Sequence, residues 1–132
     1  MKEFVYPDKE AIKILTDKLK LKQPSDHSQD WEYESADMNR VEEFLDYYLC
    51  NDLSSEEKFA LMLLMLASLD DMFSMAHIDT KLWEKFEHIL YQDYDIHKNT
   101  IDYWACGDEP IEDCYSLTPF MRKFKKQMVT PK

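Results

Sequence analysis

The sequence predicts an all-α fold: a single-domain bundle of about six helices around a central apolar helix at about residues 55–74. The chain of 132 residues is long enough to bury a core, and its 45% of hydrophobic residues is too high for a disordered chain. Its single glycine argues against a β fold rich in turns that need positive φ. We see no repeat or linker, so residues 1–132 are expected to form one helical domain.

The central helix has the clearest start signal in the chain. Ser54 and Glu57 have the spacing of a capping box, in which each side chain binds the backbone N–H of the other residue. Residues 55–74 are apolar nearly all round, so other helices must surround them. Asp70 and Asp71 follow the apolar run, and burying either one unpaired would be costly. They either point toward a partner or an internal cation, or mark the place where the helix reaches solvent.

The first half of the chain contains two more helices. Pro7 suits the first turn of the first helix, and a polar loop at residues 22–30 follows it. In residues 31–34 (WEYE) aromatic and acidic residues alternate, as in a short extended segment or the lead-in to a helix, and we favour the lead-in. A helix then follows Asp37. The apolar faces of the two helices consist of Ala11, Ile12, Leu15 and Leu19, and of Val41, Phe44, Leu45, Tyr48 and Leu49.

The second half of the chain predicts three helices after the central one. Asp79 begins the first of them, with Ile78 and Trp83 spaced as a hydrophobic staple. The next covers residues 95–106 and ends at Gly107 as its C-terminal cap. Thr118 begins the last, whose exposed side is basic through Arg122, Lys123, Lys125 and Lys126.

Negative charge is concentrated in the middle of the chain. Residues 26–113 carry 23 acidic and 5 basic residues, a net charge of −18, whereas both ends are slightly basic and the whole chain carries −11. Such a field repels nucleic acid and anionic membranes and attracts cationic partners. Ordinary solubility is the alternative explanation of the same charge.

The cysteines and the apolar runs predict a cytoplasmic protein. Cys50, Cys106 and Cys114 form no CxxC pair, which favours reduced, buried and inert thiols over a disulfide framework or a zinc site. The first residues lack the apolar stretch of a secretory signal. The longest apolar run, residues 59–67, is too short to cross a bilayer.

The sequence contains no recognisable catalytic motif. A single glycine excludes a GxGxxG or Walker loop, and the four histidines are scattered. Glu84 and His88 are one helical turn apart, as two metal ligands would be, but we favour a surface ion pair for them. We therefore expect a binding protein that is no enzyme and holds no cofactor or metal.

Several segments together resemble small helical immunity proteins, which bacteria encode beside polymorphic or contact-dependent growth inhibition toxins. They are residues 31–34, the capped segment 52–61, residues 100–104 and residues 117–122, so the likeness covers about residues 31–122. The resemblance implies a cytoplasmic protein that binds a cognate toxin domain, often a nuclease with a cationic cleft, and blocks it. The alternatives are a helical adaptor or regulator without a toxin partner, and an enzyme that uses carboxylates or a metal at Glu84 and His88.

Three segments mix aromatic rings with carboxylates, as protein interfaces do: residues 31–34, 91–95 and 113–115. From acidity and expected exposure we predict the residues that contact a basic partner. They are Asp70, Asp71, Asp93, Tyr94, Asp95, Asp108, Glu109, Glu112 and Asp113.

Overall fold

The computed structural model of the protein describes residues 4–22 and 31–129, except for the side chain of Val129. These residues form seven α-helices and one 3₁₀-helix, and none of them lies in a strand, which confirms the predicted all-α class. The helices are α1 (Lys9–Leu19), α2 (Trp31–Ser35), α3 (Val41–Cys50), α4 (Ser55–Ser74), α5 (Thr80–Gln92), α6 (Tyr94–Ala105) and α7 (Thr118–Val129), and the 3₁₀-helix is Ile111–Asp113.

Helix α4 is the centre of the bundle, as predicted. It packs against α1, α2, α3 and α6, and α6 in turn packs against α5 and α7. The capping box is present: the Ser54 hydroxyl accepts the N–H of Glu57 at 3.1 Å, and the Glu57 carboxylate accepts the N–H of Ser54 at 3.1 Å. Burial on nearly every side explains the lack of a polar face. The buried residues of α4 are Phe59, Ala60, Leu61, Met62, Leu64, Met65, Leu66, Ala67, Ser68, Leu69 and Phe73.

Two predictions near the start of the chain are wrong in detail. Pro7 precedes α1 rather than lying in its first turn, and Asp8 is the N-cap, whose carboxylate accepts the N–H of Ala11 at 3.2 Å. Residues 31–34 belong to a helix, α2, and are neither extended nor a lead-in. Trp31 is buried whereas Tyr33 is exposed, because helical geometry sends neighbouring rings in different directions. The predicted loop at 22–30 lies outside the described residues except for Lys22.

Two apolar residues that the sequence predicted to be buried, one on a helix face and one in a hydrophobic staple, remain at the surface. Leu49 is 55% exposed at the end of α3, since Leu45 and Tyr48 already complete the stripe that this helix buries. Ile78 is 54% exposed, although α5 begins where predicted. Its N-cap Asp79 accepts the N–H of Leu82 at 3.0 Å, so side-chain capping marks this helix start while Ile78 stays in solvent.

The junction between α6 and α7 is fixed by two polar arrangements. Cys106 and Gly107 both have positive φ, at 66° and 53°, and the N–H of Cys106 binds the carbonyls of Asp102 and Tyr103. Cys106 is therefore the C-cap of α6. Gly107, which the sequence predicted as the cap, is a second left-handed residue that follows it. The Thr118 hydroxyl accepts the N–H of Tyr115 at 3.0 Å and donates to the carbonyl of Trp104 at 2.9 Å, which ties the start of α7 to the end of α6.

The prediction of three reduced, buried thiols is wrong. Cys106 and Cys114 form a disulfide, with Cα atoms 6.0 Å apart, and Cys50 is free but exposed. The bonded cysteines are eight positions apart in the sequence, a spacing that matches no motif, and only the turn after α6 brings the two together. In the part of the chain that the structure describes, no helix is both long enough and apolar enough to span a bilayer.

Candidate protein-binding surface

The loop between α6 and α7 carries four exposed carboxylates. We call residues 107–113 the acidic loop. Asp108, Glu109, Glu112 and Asp113 are all exposed, and the last two lie in the 3₁₀-helix. The disulfide between Cys106 and Cys114 joins the two ends of the loop. Four like charges are thus held on a short closed segment rather than on a free tail.

Arg122 of α7 holds the backbone of the same loop. Its guanidinium donates to the carbonyl of Ala105 at 2.8 Å and to the carbonyl of Glu109 at 2.7 Å, and lies 3.6 Å from the Cys114 sulfur. The sequence predicted Arg122 as part of an exposed basic face, but its donors are used by main-chain oxygens. Within the described residues no ion pair joins a lysine or arginine to the four carboxylates of the loop, so their charge remains available to a partner.

Three tyrosines meet beside the acidic loop, and we call Tyr33, Tyr103 and Tyr115 the tyrosine triad. The hydroxyl oxygens of Tyr33 and Tyr103 are hydrogen bonded at 2.6 Å, and the Tyr115 hydroxyl donates to that of Tyr103 at 2.9 Å. The rings of Tyr103 and Tyr115 stack with centroids 5.4 Å apart. Tyr115 follows Cys114 directly and Tyr103 precedes Cys106 by three residues, so the triad adjoins both ends of the loop.

Partial burial and hydrogen bonding to Tyr103 keep Tyr33 and Tyr115 in the phenol form. Burial is the largest cause that raises the pKa of the Tyr115 hydroxyl, to about 12, and the hydrogen bond to Tyr103 adds to it. The same two causes, in the same order, raise the pKa of Tyr33. The triad therefore offers neutral hydroxyl groups and ring faces next to a charged loop. Tyrosine of this kind is a frequent anchor in protein interfaces because it contributes a large contact area at low entropic cost.

A cleft with a volume of about 350 Å³ opens beside the triad, and we call it the aromatic cleft. Tyr33 and Tyr103 form part of its wall, and the segment before α1 forms another part through Val5, Tyr6 and Pro7. The Phe4 carbonyl accepts a 3.0 Å hydrogen bond from the Asn99 side chain, which holds this segment against α6. The remaining lining residues are Glu32, Phe59, Leu63, Asn99, Thr100 and Trp104.

The predicted contact residues at the end of α4 have different environments. Asp71 is exposed, whereas Asp70 is half-buried and accepts the N–H of Leu117 at 2.9 Å. Burial raises the pKa of Asp70, and its hydrogen bonds from the N–H groups of Leu117 and Ser116 oppose that rise. Asp70 thus links α4 to the start of α7, and only Asp71 offers a solvent-exposed carboxylate here.

The predicted contact residues at the junction of α5 and α6 also differ in their exposure to solvent. Asp95 is exposed, and Tyr94 is half-buried and packs against the core. Asp93 points inward, where it accepts a 2.7 Å hydrogen bond from the Tyr48 hydroxyl and lies 3.6 Å from the Lys58 ammonium. The structure therefore brings four of the nine predicted residues together in the acidic loop, and it engages Asp70 and Asp93 in internal contacts.

A buried polar chain extends inward from Asp93. Nε2 of His97 lies 2.9 Å from the Tyr48 hydroxyl, and His97 is fully buried. Burial lowers the pKa of His97 to about 4, and the nearby Lys58 lowers it further while Asp93 opposes the change. Burial and the bond to Asp93 raise the pKa of Tyr48. Because His97 has no access to solvent, this chain serves the interior of the bundle rather than a reaction with a ligand.

Among the described residues, no group of three or more His, Cys, Asp or Glu side chains is placed so that it could hold a metal ion. Glu84 and His88 are exposed on α5 and line a shallow depression together with Leu49, Lys81, Lys85 and Ile89. No ion pair between Glu84 and His88 is formed in the described structure, so the favoured surface pair is not observed either.

The tyrosine triad is the feature that the sequence did not predict. Two of its members lie in the mixed aromatic and acidic segments 31–34 and 113–115, which are far apart in the chain but meet through Tyr103. The composition of these segments pointed to an interface, whereas their convergence depends on how α2, α6 and the loop pack. Comparison with protein-family models, with curated proteins and with solved structures gives no match to this chain.

Proposed function

We propose that this protein is a binding protein, not an enzyme, and that it neutralises a basic toxin domain as an immunity protein. The observation that carries the proposal is the acidic loop, with four exposed carboxylates on a segment closed by a disulfide and held by Arg122. A surface that is ordered before binding loses less entropy when a partner docks. The adjoining tyrosine triad supplies the aromatic anchors that such an interface needs.

The charge of the loop suits a toxin that acts on nucleic acid. A nuclease holds phosphates with lysine and arginine, and a carboxylate surface competes for the same groups. Opposite fields also speed the encounter, to roughly 10⁸–10⁹ M⁻¹s⁻¹ at low salt. The net charge of −11 extends this attraction beyond the loop itself. An inhibitor that covers the cationic cleft of the toxin would need no bond-making chemistry of its own.

The toxin partner is tested first by genetics. The gene beside the one for this protein is expressed in bacteria with and without the protein. Cell death that only co-expression of this protein prevents supports an immunity function. A harmless neighbour, or death that the protein does not prevent, would contradict it and favour the alternative of a helical adaptor or regulator.

The acidic loop is tested by measuring the association rate with the neutralised toxin domain in stopped flow. The loop variant combines Asp108→Asn, Glu109→Gln, Glu112→Gln and Asp113→Asn. The matched control removes four exposed carboxylates elsewhere, through Glu42→Gln, Asp46→Asn, Asp52→Asn and Glu84→Gln.

We expect the loop variant to associate at least about tenfold more slowly at low salt and with a weaker salt dependence. The control has the same net charge and should lose much less. Equal losses in the two variants would mean that total charge matters and the loop does not. Unchanged rates in both would remove the electrostatic part of the proposal.

A further inference from the structure

The two sulfur atoms of the disulfide have unequal surroundings. The Sγ atom of Cys114 lies 3.6 Å from the Arg122 guanidinium and 3.4 Å from the carbonyl oxygen of Pro110. The carbonyl oxygen of Glu109 is more distant from it, at 3.9 Å. Within the described residues the Cys106 sulfur has no such polar contact. Neither cysteine is fully buried, so the bond lies near solvent.

This asymmetry favours one direction of opening when a thiol attacks the bond. In thiol–disulfide exchange a thiolate attacks one sulfur, and the other sulfur leaves with the electron pair of the broken bond. A cation beside the departing sulfur stabilises it as a thiolate, and Arg122 occupies that place at Cys114. The exposed carboxylates of the acidic loop oppose a thiolate, but solvent screens them more than it screens a guanidinium in contact with the sulfur. The better leaving group is therefore Cys114, and the favoured point of attack is Cys106.

The disulfide also holds the acidic loop in a conformation that the residues of the loop oppose. Cys106 has a φ of 66°, a left-handed conformation that costs free energy for a residue other than glycine. The four exposed carboxylates lie within residues 108–113 and repel one another. Arg122 restrains the middle of the loop through the Glu109 carbonyl, whereas the disulfide joins its two ends. Opening the bond therefore releases the ends of the loop and leaves its middle tethered.

We propose that the disulfide is a thiol-sensitive switch of the acidic loop, in which a thiol adds to Cys106 and Cys114 leaves. In the first step the incoming thiolate forms a bond to the Cys106 sulfur, and the bond between the two cysteines breaks, with its electron pair going to Cys114. A second thiol then displaces Cys106 from the adduct. Two thiols are thereby oxidised to their disulfide, while the protein disulfide is reduced to two thiols.

The switch acts on binding through the order of the loop rather than through its charge, and this step rests on the proposed function. Both redox forms carry the same four carboxylates, so their long-range attraction for a basic partner is similar. The open loop must become ordered when a partner docks, which weakens binding. Oxidising conditions therefore favour the form of the loop that binds more tightly, and thiols disfavour it.

The direction of opening is tested on the full oxidised chain with 2-mercaptoethanol, a neutral thiol that the acidic loop does not repel. The reaction is stopped early with iodoacetamide, and the adduct is located by mass spectrometry after digestion. Cleavage after Glu112 separates the two cysteines. We expect the mercaptoethanol adduct on Cys106 at least about fivefold more often than on Cys114.

Variants of Arg122 distinguish its charge from its structural role. Arg122→Gln keeps a hydrogen-bond donor for the loop and removes the charge, so the preference for Cys106 should fall by about threefold or more. Arg122→Lys retains a cation and should keep most of the preference. Lys123→Gln is the matched control, because it removes one charge from an exposed neighbouring position of α7, and it should leave the preference unchanged. A lysine variant at position 122 that behaves like the glutamine variant would overturn the role of the cation.

Opening of the loop is measured by limited proteolysis of the oxidised and the reduced chain with a glutamate-specific endopeptidase. Glu84, exposed within α5, serves as the reference for global unfolding. We expect cleavage after Glu112 to be at least about tenfold faster in the reduced chain, while Glu84 is still uncleaved over the same time, because proteases cut mobile segments. The double variant Cys106→Ser with Cys114→Ser should be cleaved at the fast rate with or without thiol.

Adducts spread equally over the two cysteines, or found mainly on Cys114, would overturn the inference. So would a loop that is cleaved equally fast in both redox forms, or one that is cleaved only together with Glu84, since the latter means global unfolding. No toxin is present in these experiments, so their failure leaves the genetic test and the charge variant of the acidic loop unaffected. A Cys106 adduct in a protein whose neighbouring gene encodes no toxin would support the switch and contradict only the proposed partner.

Discussion

Nε2 of His97 lies 2.9 Å from the hydroxyl oxygen of Tyr48, and this contact fixes the tautomer of the imidazole. Tyr48 has one hydroxyl proton and donates it to the Asp93 carboxylate at 2.7 Å. The Tyr48 oxygen must therefore accept from His97, which places the imidazole proton on Nε2. Nδ1 then carries a bare lone pair in the core, where it has no hydrogen-bond partner among the described residues.

His97 should make the fold sensitive to mild acid. Its pKa is about 4 in the folded protein and about 6.5 in an unfolded chain, so between these values the unfolded state binds the additional proton. Stability contributed by neutral His97 is thus present above pH ~6.5 and lost as the pH falls toward 4, by up to about 3 kcal/mol. Urea unfolding followed by circular dichroism across this range measures the loss.

The variant His97→Gln separates this effect from the titration of carboxylates. Glutamine has an N–H donor for Tyr48 but does not titrate, so the variant should lose less stability than the native protein between pH 6.5 and 4. His88→Gln, the same substitution at an exposed position of α5, is the matched control. A His97→Gln protein whose stability falls as steeply as that of the native chain would contradict the assignment.

Asp70 should stabilise the fold through its hydrogen bond rather than its charge. Burial raises its folded pKa, so the ionised carboxylate is less favourable in the folded state than in the unfolded chain at neutral pH. Asp70→Asn keeps an oxygen for the N–H of Leu117 and removes the charge, and should unfold at the same or a higher urea concentration. Asp70→Ala leaves that N–H without an acceptor and should cost about 1–3 kcal/mol.

The exposed neighbour Asp71 provides the control for these variants. Asp71→Ala removes a carboxylate of equal charge that accepts no such bond, so its effect on the unfolding free energy should be within about 0.5 kcal/mol. If Asp70→Ala were as mild as Asp71→Ala, the contact between Asp70 and Leu117 would not contribute to holding α7 against α4.

The start of α4 was predictable because its signal is local. Ser54 and Glu57 are three residues apart, and each satisfies the other's backbone without help from the rest of the fold. The apolar run that follows also identifies α4 as the central helix, since residues of this kind are stable only when surrounded. Local capping likewise located α5 at Asp79, even though the expected staple residue Ile78 stays exposed.

The composition of the candidate surface was predictable, but its geometry was not. The four carboxylates of the acidic loop are adjacent in sequence, so their clustering followed from the sequence itself. Tyr33 and Tyr103 are seventy residues apart, and their contact requires α2 and α6 to pack in one particular way. The same holds for Asp93, whose acidity suggested a surface role although the fold places the hydroxyl donor of Tyr48, a residue of α3, beside its carboxylate. Burial of a polar side chain depends on partners that only the tertiary structure supplies.

The disulfide between Cys106 and Cys114 should contribute measurably to stability and to the shape of the acidic loop. Closing a loop of this length in the unfolded chain corresponds to about 2–3 kcal/mol in the chain-entropy model. The double variant Cys106→Ser with Cys114→Ser should lose about that amount in urea unfolding under oxidising conditions. Cys50→Ser should be neutral, because Cys50 is a free, exposed thiol.

Reductant provides the complementary measurement. Treating the native protein with dithiothreitol should reduce its stability to that of the double variant and should not affect the variant. A native protein whose stability is the same with and without reductant, and whose three thiols all react under native conditions, would show that the two cysteines are unpaired in solution. Arg122 would then be the main contact that orders the loop.

Tyr33 and Tyr115 should ionise later than ordinary tyrosines. Burial and the hydrogen bond to Tyr103 raise the pKa of Tyr115 to about 12, so its phenol proton is held more tightly in the folded protein than in the unfolded chain. The stability this provides is complete below pH ~10 and lost as the pH rises through about 12.

Alkaline titration of ultraviolet absorbance should therefore show late tyrosinate formation that occurs together with unfolding. Tyr103→Phe removes the shared oxygen and should lower the pKa of Tyr115, whereas Tyr91→Phe, a substitution at an exposed position of α5 outside the triad, should leave the late phase unchanged. A Tyr103→Phe protein with an unchanged late phase would mean that burial alone, without the hydrogen bonds of the triad, protects Tyr115.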